Sequence, residues 1–155
     1  MKRATSPAEY QALAEFRFLI RRYLNNTEKA ARAAGLEPQQ YLALLVLRGL
    51  PAGQQPTIRN LAERLQIVHH SAVELVDRMQ ERGLFRRERA KDDRRSVLVR
   101  VTPRAEKLLN RLVRHRLAEL RVTGPALARA LSSALSAGGR GNASSAQHPR
   151  SRKNA

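Results

Sequence analysis

Between residues 57 and 101 the spacing of apolar side chains changes once, and that change limits the folds open to the chain. Ile58, Leu61, Ala62 and Leu65 recur at i, i+3, i+4 and i+7, the period of a short amphipathic helix that Thr57 can cap. After Gln66, Ile67 and Val68 the pattern returns: Ala72, Leu75, Val76 and Met79 form the inner face of a second helix, HHSAVELVDRMQERG, which Gly83 stops. From residue 84 the period drops to two. LFRRER and SVLVRV read as strands, with a turn at KDDRR.

Two short helices joined tightly and followed by a hairpin describe a winged helix–turn–helix. The first helix buttresses the second. The second has its inner face fully used, so its outer face is free to enter the major groove of a DNA duplex with its N-terminal residues leading. The charge agrees with that partner. The chain has 155 residues, with 30 Lys and Arg against 13 Asp and Glu, a net charge of +17. Residues 84–104 hold eight cations (Arg86, Arg87, Arg89, Lys91, Arg94, Arg95, Arg100 and Arg104) against three acids, a net +5 in the hairpin and its exit. A hairpin charged in this way can reach phosphates or the neighbouring minor groove.

Helices are expected on both sides of this head. Residues 7–34 lack internal Gly and Pro after Pro7; Ser6 can cap the first turn and Gly35 ends the helix. Tyr10, Leu13, Phe16, Ile20 and Leu24 recur on it near helical spacing. PQQYLALLVLRG, from Pro38 to Gly49, is apolar on nearly all sides and should be buried. A fifth helix starts at Thr102–Pro103 with a stripe of Leu108, Leu109, Leu112, Val113, Leu117 and Leu120. Gly124–Pro125 are expected to break it, and a sixth, PALARALSSALSA, runs to Gly138. The fold class expected is therefore mostly α with a small β-hairpin wing. Residues 1–137 form one domain, with 38–101 as the DNA-binding region and 7–34 and 103–137 as dimerisation helices. The terminal helices carry more apolar surface than one small head can cover, which favours a homodimer. Residues 138–155, GGRGNASSAQHPRSRKNA, contain four cations, no acid and no large apolar side chain, and read as a disordered basic tail.

Composition narrows the function further. There is no Cys, so disulfides, thiolate metal sites and thiol redox chemistry are out, and a reducing, cytoplasmic and nucleoid-associated setting fits. The longest apolar run, Tyr41 to Leu47, is far short of the roughly 20 residues that span a membrane. Aromatic residues are 4% of the chain and Trp is absent, so a stacking platform for single-stranded bases is not expected. His69 and His70 point about 100° apart on a helix and lack a carboxylate cluster, so no metal is expected there. No nucleophile–base pattern or phosphate-binding Gly-rich loop is present, and neither enzymatic activity nor a cofactor is expected.

The string LAERLQIVHHSAVELVDRMQERGLFRRERAKDDRRSVLVRVTPRAEKLL resembles a MarR-type regulator. LAERL on the supporting helix, LVDRM-x-x-x-GL on the reading helix and DDRRSVLVRVTP over the wing carry the resemblance, with GLEPQQYLALLVL ahead of them. It extends over about residues 8–137, with Ala105 where the family often has Gly. The resemblance implies an obligate homodimer on a palindromic operator, acting as a repressor that responds to a ligand. It also implies that Asp93 and Arg95 form the family's Asp-x-Arg wing motif, with Arg95 bridged to Asp77. Many members bind a small, often aromatic, anion; Arg22, Tyr23 and Tyr41 lie on elements that could line its cleft.

The residues themselves set the expected DNA contacts. With Ala72, Leu75, Val76 and Met79 turned inward, His69, His70, Ser71, Val73 and Glu74 are left for the groove. Arg89, Lys91, Arg94 and Arg95 sit at or beside the hairpin tip. Thr57, Arg59 and Arg78 are placed for phosphates. The competing reading is a basic module that binds nucleic acid, as an architectural or RNA-binding protein, without sequence preference.

Overall fold

The structure is a computed structural model and describes residues 4–91 and 96–139. Five helices and a two-stranded antiparallel sheet follow in the order α1 (Pro7–Ala33), α2 (Pro38–Arg48), α3 (Ile58–Leu65), α4 (His69–Glu81), β1 (Phe85–Arg89), β2 (Val97–Val101) and α5 (Pro103–Gly139). The chain divides into two compact units: residues 25–118, and the two ends up to residue 24 and from residue 119. No described helix is long and apolar enough to cross a membrane.

Local chemistry sets the boundaries. At the start of α1, the Glu9 amide donates to Ser6 Oγ and the Ser6 amide donates to the Glu9 carboxylate, a reciprocal capping box. At its end Gly35 takes φ +79° and the Leu36 amide reaches back to the Ala31 carbonyl, which satisfies a C-terminal acceptor. The Asn60 amide donates to Thr57 Oγ1, capping α3 as its sequence implied. Thr102 Oγ1 accepts from the Ala105 amide at the start of α5 and donates to the Gly83 carbonyl, so one side chain joins the end of α4 to the next helix.

The core lies in the unit of residues 25–118. Leu36, Leu44, Leu61, Leu75, Val76, Met79, Phe85 and Val99 are fully buried there and bring α2, α3, α4 and the wing strands onto one centre. Ala105 is fully enclosed, so the small side chain at this position fits the close approach of α5 to the core. Two polar ties fix the frame. Arg82 at the end of α4 donates to Gln40 Oε1 (2.5 Å) and to the Gly35 carbonyl (2.7 Å), and Arg48 pairs with Glu106 at 3.0 Å. In the wing Phe85 is paired with Val101 and Arg89 with Val97. A third segment joins the free edge of β2: Thr57 bridges to Leu98, and the Val99 amide donates to the Pro56 carbonyl.

In the other unit α1 and α5 run side by side, with Ala8, Gln11, Ala12 and Glu15 facing Ala130 and Ser133 across a shallow groove. Ala130 is its one buried apolar side chain among the described residues. Tyr10, Leu13, Phe18, Leu24, Val122, Leu131 and Leu135 are all exposed, Tyr10 at 66% and Leu135 at 69%.

Three expectations are corrected. Gly124–Pro125 do not break the last helix; α5 continues through Pro125 to Gly139. Pro125 lacks the amide that would donate to the Arg121 carbonyl, but two residues earlier Thr123 Oγ1 donates to the Glu119 carbonyl, a local bond that accompanies bending rather than termination. Helix α5 thus runs two residues past the boundary expected at residue 137, and residues 140–155, the rest of the expected basic tail, lie outside the described residues. Helix α2 is not buried all round: Leu42 and Leu45, three residues apart on one face, are exposed.

Candidate nucleic-acid interface

The reading helix α4 presents a continuous polar edge. Ala72, Leu75, Val76 and Met79 face the core, as their spacing required. His69, His70, Glu74 and Arg78 are exposed on the opposite side, while Ser71 and Val73 are half-buried at its flanks. His70 Nε2 lies 3.2 Å from the Glu74 carboxylate, so two of the expected groove residues engage each other in the free protein. Arg59 on α3 is exposed; the Thr57 hydroxyl accepts from the Asn60 amide, which leaves its proton free to donate.

The wing divides its cations between two tasks. Glu88 holds Arg86 at 2.9 Å and Arg100 at 3.0 Å across the sheet. Arg104 donates to the Arg82 carbonyl. Arg87 reaches back to the reading helix, donating to Asp77 (2.5 Å) and to Gln80 Oε1 (2.7 Å). Among the described cations, Arg89 and Lys91 remain exposed towards the tip. Arg94, Arg95 and Asp93 lie outside the described residues. Part of the hairpin's charge is thus structural. Asp77, assigned by resemblance to Arg95, has Arg87 as its partner among the described residues. Arg87 and Gln80 were missed by sequence reasoning. The available signal was period two itself, which places Arg87 on the same sheet face as Phe85.

The suggested effector residues are not grouped in one unit. Tyr41 is a core side chain at 5% exposure, Tyr23 is half-buried, and Arg22 is exposed with its guanidinium 5.6 Å from the centre of the Phe18 ring. Arg22 and Tyr23 belong to the unit formed by the chain ends, Tyr41 to the other. Within residues 25–118 a different groove of about 630 Å³ is present. Ala30, Ala33, Ala34, Leu108 and Leu112 make its apolar wall, with Arg111 and His115 beside them. No group of three or more His, Asp or Glu that could hold a metal occurs among the described residues.

The MarR family model matches residues 34–96, from the residue after α1 to the residue before β2. Among solved structures, the chain is similar to AbsC, a MarR family transcriptional regulator from Streptomyces coelicolor. That match has 22% identity over 79% of this chain and 82% of the other, with a TM-score of 0.66. A MarR family transcriptional regulator from Silicibacter pomeroyi matches at 27% identity over 76% and 80% of the two chains, with a TM-score of 0.55. CouR from Rhodococcus jostii RHA1, solved bound to p-coumaroyl-CoA, matches at 26% identity over 63% and 67%, also with a TM-score of 0.55. No curated protein gives a significant match. The matched head, the helix order around it and its cationic wing lead to one reading: residues 34–96 match the winged-helix head of the MarR family, and the chain is similar over most of its length to solved MarR family transcriptional regulators.

Proposed function

We propose that the protein is a homodimeric repressor that reads a palindromic duplex and releases it on binding a small organic anion. The exposed edge of α4 carries the sequence-specific part. His69, His70, Ser71, Val73 and Glu74 supply donors, an acceptor and a methyl-sized apolar contact, which is the vocabulary of major-groove recognition. Thr57, Arg59, Arg78, Arg89 and Lys91 then hold phosphates, with Arg94 and Arg95 assigned to the same task by their place in the sequence. The dimer reading rests on the exposed Tyr10, Leu13, Phe18, Leu131 and Leu135. A soluble monomer seldom leaves so many large apolar side chains open on one small unit. Two heads related by a twofold axis would contact half-sites about 34 Å apart.

The effector reading rests on the groove beside Arg111 and His115, where an apolar wall meets a guanidinium. CouR, bound to p-coumaroyl-CoA, is a relative whose ligand joins an aromatic group to anionic phosphates. Selection of duplexes from a randomised pool, followed by anisotropy titration, tests the whole proposal. One enriched palindrome, bound at least about a thousandfold more tightly than scrambled DNA at physiological salt, is the expected result. Equal affinity for the scrambled duplex would leave only a non-specific basic binder.

A further inference from the structure

Val68 breaks a rule that the rest of the chain keeps. Ser6, Thr57 and Thr102 each place a hydroxyl to accept an amide proton at a helix start, and Glu37 forms a capping box at α2. At the N-cap of α4, in contrast, stands a valine with extended backbone (φ −69°, ψ 152°) and no side-chain cap. An aliphatic residue there is less stable than Ser, Thr, Asp or Asn. Burial does not explain it. Val68 is 70% exposed, the most exposed large apolar side chain in residues 25–118.

Its neighbours show which way it points. Ile67 is partly buried against the core, and its amide donates to the Ala62 carbonyl, so it anchors the turn inward. Gln66 before it adopts a left-handed conformation, φ 55°, and is exposed. It is the one non-glycine residue with positive φ among those described. Both outward positions of the three-residue connection between α3 and α4 therefore hold a residue that local stability disfavours. Such departures concentrate where function sets the residue. Val68 is also continuous with the exposed edge of α4, immediately ahead of His69 and His70.

We propose that Val68 is a base-reading residue whose isopropyl group meets a thymine methyl in the major groove. Thymine alone among the four bases presents a methyl group there, and an exposed branched aliphatic side chain at the leading end of the helix matches it in size and polarity. The stability lost at the uncapped start of α4 is retained as base discrimination. The inference rests on sequence-specific DNA binding and adds a second apolar determinant, ahead of Val73, at the leading end of α4.

The test uses the full-length protein and a duplex selected by the wild-type protein from a randomised pool. Each thymine is replaced in turn by uracil, which keeps base pairing and removes the methyl. Wild-type affinity should fall about fourfold per methyl at one symmetry-related position. Val68→Ser should abolish that thymine-to-uracil ratio while raising the melting temperature, because serine caps the helix. Val68→Thr also supplies a capping hydroxyl, though a weaker one than serine, but keeps one methyl, and should retain the ratio. An unchanged ratio in Val68→Ser at every position, or a wild-type protein indifferent to every uracil, would overturn the inference alone. Failure to enrich any duplex would instead overturn sequence-specific binding, and this inference with it.

Discussion

Replacing Arg87 by methionine keeps the aliphatic stem and removes the link between wing and reading helix. Arg87 donates to both Asp77 and Gln80, and its side chain is 28% exposed against 51% for Asp77. A pair this open to solvent contributes no more than about 1 kcal/mol. For a chain of this size that lowers the melting temperature by about 2–4 °C. The consequence for DNA has the same ceiling. A wing freed from α4 must be ordered when it meets the duplex, and about 1 kcal/mol of ordering weakens binding about fivefold. Asp77→Asn separates two explanations by sign. If Arg87 acts as a brace, removing its partner also weakens DNA binding, and the double variant is no worse than either single one. If Arg87 instead binds phosphate and Asp77 merely competes for it, Asp77→Asn tightens binding. Thermal melts and anisotropy titrations on the three variants decide the matter; tighter binding by Asp77→Asn would refute the brace.

Other changes probe separate parts of the account. Thr57→Ala removes the hydroxyl that caps α3 and should destabilise the fold by about 1 kcal/mol in denaturant titration. Met79→Ala empties a fully buried site behind the reading helix and should cost about 2–5 kcal/mol, a large part of the 5–15 kcal/mol that holds a typical domain together. Pro125→Ala restores an amide within α5 and should raise the melting temperature; a fall would show that the proline is needed for the helix's shape. Under the proposed dimer, the wild-type protein scatters light as a pair at micromolar concentration, and Leu13→Glu combined with Leu135→Glu should give monomers without unfolding residues 25–118; a wild-type monomer would refute the proposal.

Features carried by consecutive residues were legible from the sequence. Thr57 followed by a four-residue apolar period, Gly35 and Gly83 at helix ends, and the switch to period two at residue 84 all reflect local stereochemistry, and each lies where the chain order implied. The inner face of α4 followed for the same reason, and its outer face by subtraction. Pairings between distant residues were not legible. No local pattern brings Pro56 and Thr57 to the edge of β2, or chooses Arg87 for Asp77 among eight nearby cations. Gly124–Pro125 misled because the penalty for an internal proline is a local preference, and the helix absorbs it. Tyr41 illustrates a different limit. An amphipathic aromatic residue serves equally well in a core or a cleft, and only packing shows that it sits in the core.

The central claim, that two copies of this head bind one duplex together, is tested most directly by spacing. Five base pairs inserted between the half-sites of the selected duplex turn one half-site to the opposite side of the helix while leaving every base of each half-site intact. The account predicts that affinity drops to that of an isolated half-site. Undiminished affinity for the inserted duplex would contradict it.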